Sequence, residues 1–240
     1  MPILEKKNNL NLCLPRVTAD LPLDPPVKFP LPRTSGFAIN ILGPAGSGKT
    51  STMVSLMKSP DIFRKRFHNI ITIIPETSLN SLYSNPFKDI PDEQRFEELD
   101  FGTLRKIVEM CEKNKEEDEF TCLIMDDVSA ELQDPMLLKK LMRLFLNRRH
   151  LYLSIICLSH SLTGKGALPY TIRKNLSHMI LFKPSCGLEV LNAEFLHLPK
   201  VKFKELIDFV YDKDHNHLLI ELYTGKLYKN FNTIVQYDRT

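Results

Sequence analysis

Apolar runs of strand length alternate along this chain with stretches whose apolar residues recur at helical spacing. The runs are FAINIL (Phe37 to Leu42), NIITII (Asn69 to Ile74), FTCLIM (Phe120 to Met125), YLSIICL (Tyr152 to Leu158) and HMILF (His178 to Phe182). Each is short, rich in branched residues and nearly free of charge, the pattern of a strand buried on both faces. Strand followed by helix, repeated, predicts an α/β fold with a mostly parallel central sheet flanked by helices. Between the runs lies DPMLLKKLMRLFLNRRH, where Asp134 is placed to cap a helix and Pro135 to occupy its first turn. After Pro184 come two short helical patterns and then HLLIELYTGKLYKNFNTIV, which predicts a β-hairpin turning at Thr224 and Gly225.

The first 36 residues break this rhythm, since they hold seven of the sixteen prolines. A regular helix is excluded there, so residues 1–36 read as an extended arm, a loose leader or a docking segment. The expected division is that arm and one domain over 37–240, with a core at 37–183 and C-terminal helices and hairpin at 184–240. A chain of 240 residues with 43% apolar content can fill one such core. The net charge of +3 is far below that of a protein that coats nucleic acid, so any contact with DNA must be local or shared among subunits. Cys13, Cys111, Cys122, Cys157 and Cys186 form no CxxC pair and read as free thiols of a reducing compartment. With neither an apolar leader nor a run near the ~20 residues of a membrane span, the expectation is a soluble, intracellular protein.

The chemistry enters at GPAGSGKTS, residues Gly43, Pro44, Ala45, Gly46, Ser47, Gly48, Lys49, Thr50 and Ser51. Glycines at this spacing let successive N–H groups curl around phosphate oxygens at a helix N-terminus. Lys49 would reach the β- and γ-phosphates of ATP, and the Thr50 hydroxyl would bind Mg²⁺. A second motif, LIMDD, puts two carboxylates at the end of a buried strand, where ligands collect in open α/β sheets. Asp126 is then the metal-shell residue and Asp127 the residue that orients or deprotonates water, although paired acids also serve as plain turn residues. The strand-and-helix unit containing NIITII separates the two motifs in the chain, as in motor NTPases, and argues against a small-molecule kinase. The next strand ends in SHS, making His160 either a γ-phosphate sensor or a satisfied polar cap. Beyond it, GALPYTIRKN supplies Arg173 and Asn175.

GPAGSGKTS, LIMDD, NRRHLYLSIICLSHS and LPYTIRKN, in this order, resemble the FtsK/HerA superfamily of ring translocases. The likeness is greatest to its viral branch, the genome-packaging ATPases of large DNA viruses and virophages, and spans roughly Phe37 to Phe182. It implies a RecA-like P-loop ATPase using ATP and Mg²⁺, working as a homo-oligomeric ring on double-stranded DNA without reading sequence. It also implies capsid or portal-vertex partners and a place in the host cytoplasm, the viral factory or the virion. In such rings an arginine completes the neighbour's site, and Arg148 and Arg149 are the first candidates, with Arg173 behind them. As cations at a helix C-terminus, Arg148 and Arg149 equally suit the helix dipole. The superfamily often has Glu at the position of Asp127 and Gln at that of His160. Lys165, between two glycines, is either a DNA-facing tip or an ordinary surface lysine. The competing functions are a cellular-type translocase or helicase and a nucleotide-dependent assembly switch that moves nothing.

Overall fold

The computed structural model describes residues 21–75, 78, 87–184 and 186–236. Its strands are β1 (Ala38–Leu42), β2 (Asn69–Ile73), β3 (Arg95–Phe96), β4 (Thr121–Met125), β5 (Leu153–Ser159), β6 (His178–Phe182), β7 (His217–Glu221), β8 (Lys226–Lys229) and β9 (Thr233–Val235). The α-helices among the described residues are α1 (Lys49–Lys58), α2 (Phe101–Glu116), α3 (Pro135–Asn147), α4 (Tyr170–Arg173), α5 (Leu188–Leu191) and α6 (Lys200–Val210). The strands form one sheet in the order β3-β2-β4-β5-β1-β6-β7-β8-β9. Pairing is parallel from β3 through β6 and antiparallel from β6 to β9. In chain order β2 separates the phosphate-loop strand from the acidic strand, but in the sheet β5 lies between β1 and β4.

Alternation along each central strand divides the core in two. Ala38 and Leu42 of β1, with Leu123 and Met125 of β4, face a layer built by α2, α3, α5 and α6. Ile39, Ile41, Cys122 and Ile124 face the other way, toward Met53, Leu56 and Met57 of α1. On that second face the described part of the proline-rich segment completes the cover. Leu23, Val27 and Leu31 are 1%, 2% and 4% exposed and pack in the same cluster. A Pro22–Thr34 bridge and a hydrogen bond from Leu23 N to Arg33 O at 2.8 Å close this segment on itself.

Local chemistry sets the helix starts. The Asp134 carboxylate accepts from the N–H groups of Met136 at 2.8 Å and Leu137 at 3.3 Å, with Pro135 in the first turn of α3. Asp100 does the same for α2, and the Thr103 N–H it accepts from holds its carboxyl below the usual range. The C-terminal segment departs from the expected hairpin, since the chain turns twice and adds β9. The second turn passes through Asn230 and Phe231 at positive φ. Asn230 secures it by accepting from His217 N at 3.0 Å and donating to Asn216 at 2.6 Å. Among the described residues no helix is long and apolar enough to cross a membrane. Burial pushes the free thiols of Cys111 and Cys157 up to about 12; Cys13 lies outside the described residues.

His178 ties the folded-back segment to the sheet. Its Nε2 faces the Pro30 carbonyl at 3.1 Å, its Nδ1 is buried without a partner, and Glu221 stands opposite on β7. Burial holds the ring neutral and lowers its pKa to about 4, against the pull of Glu221 and the Pro30 carbonyl. The unfolded chain binds this proton near pH 6.5, so the stability tied to a neutral His178 is full above that pH and is lost as pH falls toward 4. The expected loss is about 3 kcal/mol between pH 7 and pH 4, read by urea unfolding at a series of pH values. His178→Gln should flatten that part of the profile.

Candidate active site

The C-terminal ends of β1, β5 and β4 lie side by side, and each delivers one motif. Register pairs Leu42 with Ser159 and Met125 with Cys157, and Gly43 N continues the ladder by donating to Ser159 O at 3.1 Å. The phosphate loop leaves β1 with no room for side chains at its first glycine. A Cβ on Gly43 would lie 2.6 Å from Ser47 Oγ and 2.7 Å from Phe182 Cβ. Gly46 and Gly48 take φ of 73° and 105°, a region that favours glycine, and a Cβ on Gly46 would meet open space. The loop, Pro44 and Ala45 included, therefore bends tightly and presents backbone, then feeds α1 at Lys49. Ser51 follows on its exposed side.

Lys49 is 6% exposed, and its Nζ donates to Gly43 O at 2.8 Å and Pro44 O at 3.0 Å. Burial lowers its pKa, while Asp126 and Asp127 pull the other way. Asp126, also 6% exposed, accepts from the Thr50 hydroxyl at 3.3 Å. Burial raises its pKa, opposed by that hydroxyl and by Lys49. An ammonium and a carboxylate are thus both held against dehydration around the loop, an arrangement that gains from an incoming triphosphate and cation. The donor set fits Mg²⁺, because the Thr50 hydroxyl and Asp126 carboxylate converge as two hard oxygens, the usual protein share for an ion that keeps waters and phosphates.

Asp127 turns away from the sheet at φ 56°, which aspartate tolerates better than most residues, and leaves its side chain 52% exposed. His160, at the end of β5, bridges the two motifs. Its Nδ1 is 3.4 Å from Lys49 Nζ and its Nε2 is 3.5 Å from Asp127 Oδ1. The tautomer with hydrogen on Nε2 suits both neighbours, since Nδ1 then faces the ammonium as an acceptor. The structure so brings together Lys49, Thr50, Asp126, Asp127 and His160.

It does not bring the arginines there. Arg148 is 4% exposed, donating from Nε to Gly36 O at 2.9 Å and from Nη1 to Phe145 O at 2.6 Å. Arg173 is 8% exposed and pairs with Glu194. Both guanidiniums are engaged within their own chain, contrary to the expectation of a group offered to a neighbour. Arg149 is half-buried beside Gly36 on a cavity also lined by Phe29 and Arg33. Two supports were missed in the sequence. Ser159 Oγ donates to the buried Asn40 Oδ1 at 2.9 Å, a pairing hinted at by the one amide inside FAINIL. His215 Nδ1 reaches Ser47 O at 3.0 Å from a distant turn, with no local signal.

Arg148→Ala should behave as a structural lesion. It strips two buried carbonyls of a charged donor, and the expected loss is about 2–4 kcal/mol in urea unfolding.

Comparison with known proteins places the fold and the family. A family model described as "Poxvirus A32 protein" matches residues 31–215. None of the curated proteins compared matches the chain. Among solved structures, the genome packaging NTPase B204 from Sulfolobus turreted icosahedral virus 2, in complex with sulfate, aligns with TM-score 0.56 and 15% identity. The match covers 84% of this chain and 98% of B204. The complex of B204 with ATP-gammaS aligns with TM-score 0.55 and 13% identity over 81% and 96% of the two chains. The pCW3 conjugation coupling protein TcpA aligns with TM-score 0.51 and 14% identity over 93% of this chain and 71% of TcpA. With its phosphate loop, acidic pair and interposed strand in place, the chain belongs to the Poxvirus A32 protein family of P-loop ATPases.

Proposed function

We propose that this protein is an ATP-driven translocase of double-stranded DNA that works as a homo-oligomeric ring and packages a viral genome into a preformed capsid. The observation that carries the reading is the insertion of β5 between β1 and β4, which sets His160 between Lys49 and Asp127. The interposed strand stands between the acidic end of β4 and the phosphate-loop strand, and in this reading a water would sit between Asp127 and the terminal phosphate. Family membership and the fold shared with B204, itself a genome packaging NTPase, support the packaging role.

In this reading the loop N–H groups and Lys49 hold the phosphates, Lys49 leaving the Gly43 and Pro44 carbonyls to do so. Thr50 and Asp126 hold Mg²⁺, which when bound neutralises charge on the phosphates. Asp127 orients the attacking water and takes its proton, and His160 reads the state of the γ-phosphate and steadies Asp127. Arg149 is assigned to the neighbour's site. It precedes β5, whose seven residues span roughly 20 Å, so it stands at the opposite end of the strands from its own phosphate loop. Lys165, exposed beyond β5, faces the DNA, and the capsid or its portal vertex is the docking partner.

Asp127→Asn should retain ATP and lose hydrolysis by about 10²–10⁴-fold, whereas Lys49→Ala should lose about 10–100-fold in nucleotide affinity. Equilibrium nucleotide binding and single-turnover hydrolysis separate the two; wild-type turnover by Asp127→Asn would assign the water to another residue. Mixing Arg149→Ala with Lys49→Ala subunits should restore part of the activity, because some interfaces then combine an intact loop with an intact arginine. No recovery in mixtures shown to co-assemble would remove Arg149 from the shared site. Duplex DNA should raise the ATPase rate regardless of sequence, with a salt slope of about −0.9 per phosphate contacted. A rate indifferent to DNA would favour the assembly switch.

A further inference from the structure

The segment between β5 and α4 carries Lys165, and its two ends and its middle are each fastened to something. Just after His160, Ser161 Oγ donates to Thr163 O at 2.5 Å and accepts from Thr163 N at 3.2 Å, closing the first turn. Arg173 Nη1 donates to Leu162 O at 3.2 Å and to Leu168 O at 2.5 Å, so one guanidinium grips the carbonyls on both sides of the loop. The same guanidinium is held in a fork by Glu194, with Nε donating to Oε2 at 2.9 Å and Nη2 to Oε1. A planar fork with five donors can make these contacts together, and a lysine cannot. At the loop's middle, Gly166 sits at φ 81° against the turn that follows the acidic pair. A Cβ there would lie 2.5 Å from Ser129 O and 3.0 Å from Ser129 Cβ, backbone and side chain that cannot withdraw freely. Gly164, two residues earlier at φ 92°, has open space around it.

Ser129 is two residues beyond Asp127, and Ser161 is one residue beyond His160. We infer that Arg173 and Gly166 are positioning residues that couple the DNA-facing loop 163–167 to the hydrolytic turn. Arg173 holds the base of the loop rigid, and the Gly166–Ser129 contact passes displacement between Lys165 and Asp127. Arg173 thus acts inside its own subunit, through the loop carbonyls. The inference rests on the DNA-translocase reading above and adds to it the route by which DNA alters hydrolysis.

The test compares the full-length chain with Gly166→Ala and Gly164→Ala. Both substitutions put alanine at positive φ, but only the first collides with Ser129. Gly166→Ala should keep duplex affinity within about twofold, since Lys165 is intact. Its ratio of DNA-stimulated to basal rate should drop by about fivefold or more, the scale of ordinary coupling between sites. Gly164→Ala should keep the wild-type ratio. Arg173→Lys, which leaves a cation for Glu194 without the fork, should lower the ratio too, and it decides the matter if Gly166→Ala does not fold. Wild-type stimulation in both Gly166→Ala and Arg173→Lys overturns the inference, as does equal loss in Gly164→Ala and Gly166→Ala. A wild-type protein that DNA does not stimulate fails earlier, and overturns the translocase reading together with the coupling.

Discussion

The site depends on one pairing constraint, the placement of β5 between β1 and β4 with their C-terminal ends nearly level. Parallel register puts Ser159 beside Leu42 and Cys157 beside Met125, so the residues just beyond them meet across three strands. His160 then stands 3.4 Å from Lys49 Nζ and 3.5 Å from Asp127 Oδ1, although the three residues are scattered across the chain. A shift of β5 by one residue would turn His160 to the other face of the sheet and break the bridge. The buried Ser159–Asn40 bond opposes that slip, because a shifted strand would leave the Asn40 carbonyl oxygen and the Ser159 hydroxyl without each other.

What was legible in the sequence was what a few neighbouring residues decide. Asp134 and Pro135 announced α3, and Gly43 to Thr50 announced the phosphate loop, because capping and tight turns involve residues three or four apart. The five apolar runs became strands for the same reason. The strand order was not legible, nor were the positions of Arg148 and Arg173. Arg148 bonds to Gly36, 112 residues away, and a sequence records no partner at that distance. A pair of arginines at a helix end looks alike whether one is buried or offered to a neighbour. The proline-rich segment carried a readable clue in Leu23, Val27 and Leu31, large apolar residues placed between prolines. They cover the sheet face on which α1 packs.

The functional account joins two kinds of support. Membership of the Poxvirus A32 protein family sets the class of machine, and the likeness to B204 at 15% identity shows that the fold persists where most side chains have changed. The proposed residue roles rest on this chain's own contacts. Asp127 and His160 are the exposed members of the cluster, whereas Lys49 and Asp126 are buried. Burial suits groups that hold phosphate and metal in a fixed place. Exposure suits groups that must meet water and respond to its consumption.

Displacement of a triplex-forming strand from linear duplex measures, without a capsid, the directional movement along DNA proposed for this protein. The assembled ring should release the third strand in a reaction that requires Mg²⁺ and ATP, ignores duplex sequence and is abolished by Asp127→Asn. An assembled ring that hydrolyses ATP yet leaves the triplex intact would contradict the proposal.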